Sequence, residues 1–175
     1  MKKLILAVAA VMVSVAAFAQ GQITFNNRVA GVVDARVTFA DGANIGQGVG
    51  AGYTAQLFGG PDGTAAAALT ALSPNTTFRT SSAAAQGYVN GVVVDVPGIA
   101  PGLKASIQMR VFDSGNLQVG QSAPISITLG GGTLPPANLE GLQAFTVSGG
   151  VVIPEPSTIA LAALGVGALL LRRRK

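Results

Sequence analysis

The chain of 175 residues contains no cysteine, no histidine and no tryptophan. Without cysteine there is no disulfide framework and no thiol chemistry. Without histidine as well, Ser-His-Asp catalysis, Cys-His catalysis and ordinary zinc sites are excluded. Charge is also scarce: 10 % of residues are charged, against roughly a quarter in an ordinary soluble domain. What replaces it is 24 glycines, 9 prolines and much Ala, Val and Thr, a mix that suits short strands joined by tight turns.

The net charge of +4 comes from the two ends. Lys2 and Lys3 stand at one end, and Arg172, Arg173, Arg174 and Lys175 at the other. Between Gln20 and Ile153, Arg28, Arg36, Arg79, Lys104 and Arg110 face Asp34, Asp41, Asp62, Asp95, Asp113 and Glu140. A near-neutral body has no electrostatic footprint for phosphates, so no nucleic-acid partner is expected. The positive charge is read as membrane topology.

Residues 1–19 read as a signal peptide. A basic start precedes an apolar run from Leu4 to Val15, and Ala17-Phe18-Ala19 is an A-x-A cleavage pattern. Cleavage is expected between Ala19 and Gln20, with the secretion translocon and signal peptidase as partners. At the other end, Ser157 to Leu171 carries no charge. As a helix it spans ~22 Å, short for a bilayer core of ~30 Å, so thinning or snorkelling of the arginines is required. Arg172, Arg173, Arg174 and Lys175 follow it directly. The positive-inside rule puts them in the cytoplasm and the body outside the inner membrane.

Pro154-Glu155-Pro156 precedes that segment. Two prolines bar a helix and hold the backbone extended, the form that a protease cleft pairs with edge to edge. The same residues also serve as helix-start punctuation, with Ser157 or Thr158 as N-cap. Pro154-Glu155-Pro156-Ser157-Thr158, then a Leu/Ala/Gly run, then four cations closely resembles the PEP-CTERM sorting signal. The resemblance implies an exosortase as partner, a membrane enzyme that cleaves near Pro-Glu-Pro. It also implies an inner-membrane-anchored precursor, then release or attachment at the cell surface or extracellular matrix, with exopolysaccharide as a candidate partner. On that reading Pro154, Glu155 and Pro156 are recognised rather than catalytic.

Residues 20–150 are expected to form one all-β body, an antiparallel sandwich or jelly roll, followed by the sorting signal at 151–175 with its transmembrane helix at 157–171. The clearest strand is Leu103–Phe112, where Leu103, Ala105, Ile107, Met109 and Val111 alternate with Lys104, Ser106, Gln108 and Arg110. That period of two predicts one buried and one wet face. Further strands are expected at 22–26, 33–39, 52–58, 76–79, 88–96, 123–129 and 142–148. Val92-Val93-Val94 suits a strand covered on both faces. Residues 64–72 are either a helical turn or a loop.

No catalytic residue, cofactor or metal ligand set emerges. Six scattered carboxylates lie in no glycosidase pattern. Asp41-Gly42-Ala43-Asn44 offers oxygens to Ca²⁺ but lacks the alternating acids of an EF-hand, and a turn is expected. Gly46, Gly48, Gly50 and Gly52 fit neither G-x-G-x-x-G nor a Walker loop, so a strand connection is expected. The aromatics are expected in the core rather than on a sugar-stacking platform. The reading is a non-catalytic surface or matrix protein. Its alternatives are a glycan- or ligand-binding module and a permanently anchored single-span protein.

Overall fold

A computed structural model describes residues 20–149. The signal peptide expected at residues 1–19, with Ala17 and Ala19, the Pro154–Pro156 motif, the transmembrane helix expected at 157–171 and the basic tail lie outside these residues. Gln20 is described and exposed.

The described chain is all-β apart from one turn of 3-10 helix. Its strands are β1 (Gly21–Phe25), β2 (Arg28–Val29), β3 (Val33–Asp34), β4 (Val37–Phe39), β5 (Thr54–Pro61), β6 (Thr70–Ala71), β7 (Thr76–Thr77), β8 (Val92–Val96), β9 (Lys104–Phe112), β10 (Gln118–Gln121), β11 (Ile125–Thr128) and β12 (Phe145–Val147). The helical turn is Ala66–Ala68. No helix among the described residues is long and apolar enough to cross a membrane.

β9 is the axis of the largest sheet. It pairs antiparallel with β5 from Thr54↔Phe112 to Pro61↔Ala105. Its other edge is shared by β11, opposite residues 104–107, and β10, opposite residues 110–112. β5 in turn carries β6 and β7 on its far edge. Three two-stranded pairs complete the fold: β1 with β8, β2 with β3, and β4 with β12.

All of them share one apolar core. The inner face of β9 gives Ala105, Ile107, Met109 and Val111, and β5 adds Ala55 and Leu57. Ile23 and Phe25 of β1 and Val94 and Val96 of β8 join the same cluster. Burying each large aliphatic or aromatic side chain contributes roughly 1.5–3 kcal/mol. Gly59 makes room for it: a Cβ there would stand 2.9 Å from Leu72 Cδ1 and 3.0 Å from Ile107 Cδ1.

The alternation in β9 is real, but its second face is not wet. Ser106 is buried and Gln108 is 1 % exposed. Residues 62–72 fold across this face, because its polar groups find backbone partners there. Gly63 N–H donates to Ser106 Oγ at 2.9 Å, and Arg110 donates to the Ala66 carbonyl at 2.6 Å. Gln108 Nε2 donates to the Ser122 carbonyl at 2.8 Å and its Oε1 accepts from Arg110 Nε at 2.9 Å. Arg110 also lies 3.9 Å from the Phe58 ring centre, and that ring stacks on Phe112. Residues 64–72 thus hold one 3-10 turn followed by β6. Leu103 lies outside β9 and is exposed.

Three further expectations change. The 33–39 strand breaks at Ala35-Arg36 into β3 and β4. Val93 is 50 % exposed: β8 pairs with β1 alone, and its alternate side chains face water. β4 and β12 pair in parallel, Phe145↔Val37 to Val147↔Phe39. A long intervening chain permits this, whereas a hairpin would impose the antiparallel sense.

The break at Ala35 is made by Asn27, which is fully buried. Its Nδ2 donates to the carbonyls of Ala35 at 2.7 Å and Gly87 at 2.9 Å. Its Oδ1 accepts from Val89 N–H at 2.9 Å, and its own carbonyl accepts from Ala35 N–H at 2.9 Å. Nearby, Tyr88 donates to Asp34 Oδ1 at 2.7 Å, and Arg28 sits 4.8 Å from its ring centre. That bond to Asp34, together with burial and the carboxylate's charge, raises the phenol above its ordinary value of 10.0.

Two outcomes follow. Asn27→Leu leaves the Ala35 carbonyl and the Val89 N–H without their partner and takes one of two donors from the Gly87 carbonyl, so urea unfolding should show a loss of about 2 kcal/mol or more; a loss below about 0.5 kcal/mol contradicts the account. The raised Tyr88 pKa stabilises the fold below the unfolded value, and this contribution disappears as pH rises through the folded one. Melting curves from pH ~8 to ~11 should therefore fall more steeply for the wild type than for Tyr88→Phe.

Candidate functional site

The functional question is how the body meets the segment that begins at residue 150. Leu139 and Leu142 are buried and seat the approach. The chain then enters β12, whose Val147 is buried. β12 lies between β4 and β10. On one side it pairs with β4, and Ala40 N–H donates to the Val147 carbonyl at 2.9 Å. On the other, Ser148 N–H donates to the Val119 carbonyl at 3.0 Å. Gly120 permits this approach: a Cβ there would meet Val147 Cγ1 at 2.6 Å and the Thr146 carbonyl at 2.9 Å.

Asp41 closes the junction. Its Oδ1 accepts a hydrogen bond from Gly149 N–H across 108 positions of sequence. Gly149 has no side chain to spare, since a Cβ would stand 3.1 Å from that same oxygen. Asp41-Gly42-Ala43-Asn44 is a turn, with Ile45 N–H donating to the Gly42 carbonyl. One oxygen of its carboxylate holds the clasp. No group of three or more Asp, Glu, His or Cys among the described residues is placed to hold a metal ion.

The glycines after it serve close approach. Thr38 bridges Gly48, and Phe39 N–H donates to the Gln47 carbonyl at 3.0 Å. A Cβ on Gly48 would overlap the backbone of Gln86.

Four other carboxylates are engaged in different places. Asp34 accepts from Tyr88, Asp62 from Ser126 Oγ, Asp95 from Gln22, and Asp113 from the N–H groups of Gly115 and Leu117. Arginines serve the fold in the same way: Arg36 donates to the carbonyls of Gln86 and Ala83, and Arg79 to that of Val89. Phe25, Phe39, Phe78 and Tyr88 are buried, and Tyr53, Phe58, Phe112 and Phe145 are partly so.

An open cleft of about 500 Å³ lies between β11 and residues 134–138. Ser126 and Thr128 line one wall, Pro135, Pro136 and Asn138 the other, and Glu140 also borders it. The walls converge at Gly130, where a Cβ would strike the Pro135 carbonyl. Sequence reading missed both the cleft and the clasp. The only local signals were a Pro-Pro pair and an Asp-Gly turn.

Five chain steps separate Gly149 from Pro154, a reach of at most ~18 Å. No curated protein and no solved structure matches the chain. One family model matches it, that of the PEP-CTERM protein-sorting motif, over residues 152–175. Residues 152–175 are thus a PEP-CTERM protein-sorting motif, and the chain that carries it is an exported protein directed to an exosortase.

Proposed function

We propose that this protein is a non-catalytic component of the cell surface or extracellular matrix, delivered as a membrane-anchored precursor and released by exosortase processing. Signal peptidase acts between Ala19 and Gln20. The 157–171 segment then lodges in the inner membrane with Arg172, Arg173, Arg174 and Lys175 in the cytoplasm. Pro154, Glu155 and Pro156 present an extended acidic handle outside it. The body, folded as a sandwich around its single core, is the cargo. The observation that carries this reading is the sorting motif, which starts three residues after the chain is clasped to the body at Gly149. Clasp and motif divide the labour: one fixes the end of the cargo, the other is expendable.

The cleft between β11 and residues 134–138 favours a second reading, a glycan-binding module of the matrix. Its volume falls in the range of small-ligand sites, and Thr128, Asn138 and Glu140 supply polar groups to its walls.

Glu155→Ala should retain the protein in the membrane fraction, and unchanged release overturns chemical reading of the motif. Intact mass of the released wild type should lack Arg172 to Lys175; a mature chain that keeps them overturns processing. For the second reading, a glycan array should show binding that Asn138→Ala weakens at least about tenfold, as loss of a key polar contact does. No binding rejects it.

A further inference from the structure

Six large aliphatic side chains are exposed among the described residues, and the two most exposed are Ile45 and Leu117, at 67 % each. They are far apart in sequence, yet both flank the point where the chain leaves the body. Ile45 bridges Phe39, the residue that pairs with Val147. A Cβ on Gly42, in the same turn, would lie 3.6 Å from the Gly149 carbonyl. Leu117 comes two residues before Val119, the acceptor for Ser148. Since Gly120 faces Thr146 and Val147 while Val119 meets Ser148, β12 runs antiparallel to β10, and its exit points toward Leu117.

Residues 37–53, 111–123 and 141–149 contain neither Lys nor Arg. Their two aspartates, Asp41 and Asp113, both accept backbone hydrogen bonds. Ile45 and Leu117 are thus the large apolar side chains exposed there, among uncharged Asn, Gln, Ser and Gly. Its neighbour is set by the leash. With Pro154 at the membrane boundary, five chain steps hold Gly149 within ~18 Å of it. The opposite pole is farther away. Leu103 immediately precedes β9, and Leu117 bonds Asp113 immediately after it. Nine strand residues separate them by about 30 Å.

We propose that the tail-exit pole of the precursor rests on the lipid surface, with Ile45 and Leu117 entering the bilayer interface. This rests on the anchored-precursor reading above. In the precursor the body stands on the membrane, rather than swinging on its leash, and the Pro154–Pro156 handle is held at the lipid boundary. Removal of the span turns a tethered contact into a free one. Two aliphatic side chains are too few for stable membrane binding alone, so the cut chain leaves.

The absence of cysteine makes the test clean. Single variants Ile45→Cys, Leu117→Cys, Leu103→Cys and Leu134→Cys of the full chain are labelled with an environment-sensitive fluorophore. They are then reconstituted in phosphatidylcholine vesicles with or without nitroxide-bearing lipid. Emission from positions 45 and 117 should shift to the blue and be quenched by the nitroxide lipid; emission from 103 and 134 should do neither. Adding anionic lipid should leave the pattern unchanged. If the chain floats with the vesicles but all four probes behave alike, the lipid contact is overturned and anchoring stands. Probes at 45 and 117 that are shielded from a water-soluble quencher yet untouched by nitroxide lipid also overturn it, in favour of a second copy. A chain that does not float overturns anchoring and contact together.

Discussion

The side chain of Asn27 is the constraint on which the architecture turns. It sits without solvent contact where three stretches of chain meet, at residues 27, 35 and 87–89. Asn27 and Ala35 lie between strands, and Val89 is held by a single bridge to Phe78. Their backbone groups need partners, because an unpaired buried amide or carbonyl costs about 1–3 kcal/mol. One amide side chain supplies two donors and an acceptor. Around it the backbones approach closely: Val37 N–H donates to the Gly87 carbonyl at 3.0 Å, and Gly87 N–H to the Val49 carbonyl at 2.7 Å. A Cβ on Gly87 would meet the Val37 carbonyl at 2.5 Å. The turn from β3 into β4 therefore depends on this polar junction, whereas the large sheet and the β1–β8 pair depend on apolar burial.

That division explains what could be read in advance. β9 announced itself by strict alternation, and β1, β7 and β11 by short β-rich runs between turn residues. The pattern resolved which side chains of β9 face the core, but not what covers its other face. Ser106 and Gln108 look like surface residues because their partners, Gly63 and Ser122, lie 43 and 14 positions away. Asn27 was likewise invisible: its value lies in contacts 8 to 62 positions distant. β10, a Gln-Val-Gly-Gln stretch, has no strand signature and is a strand because β9 and β12 flank it.

The sorting motif is the converse case. Its three parts are contiguous and act through composition and order, so they are legible without any fold. The Asp41 clasp is not. Asp-Gly signals a turn in either reading, and only the return of the chain to Gly149 shows what the carboxylate holds. The near-neutral body is consistent with this economy: Asp34, Asp41, Asp62, Asp95 and Asp113 each fasten a specific turn or strand.

The parallel pairing of β12 with β4 has a temporal consequence. β4 comes early in the described chain and β12 close to its end, yet neither edge is complete alone. Contacts so distant in sequence form late, since a long loop must first be closed. Folding is thereby ordered along the chain: the domain can seal only when residue 149 is in place. Until β12 arrives the β4 edge stays open, so the fold postpones its own completion until the last described strand is in place.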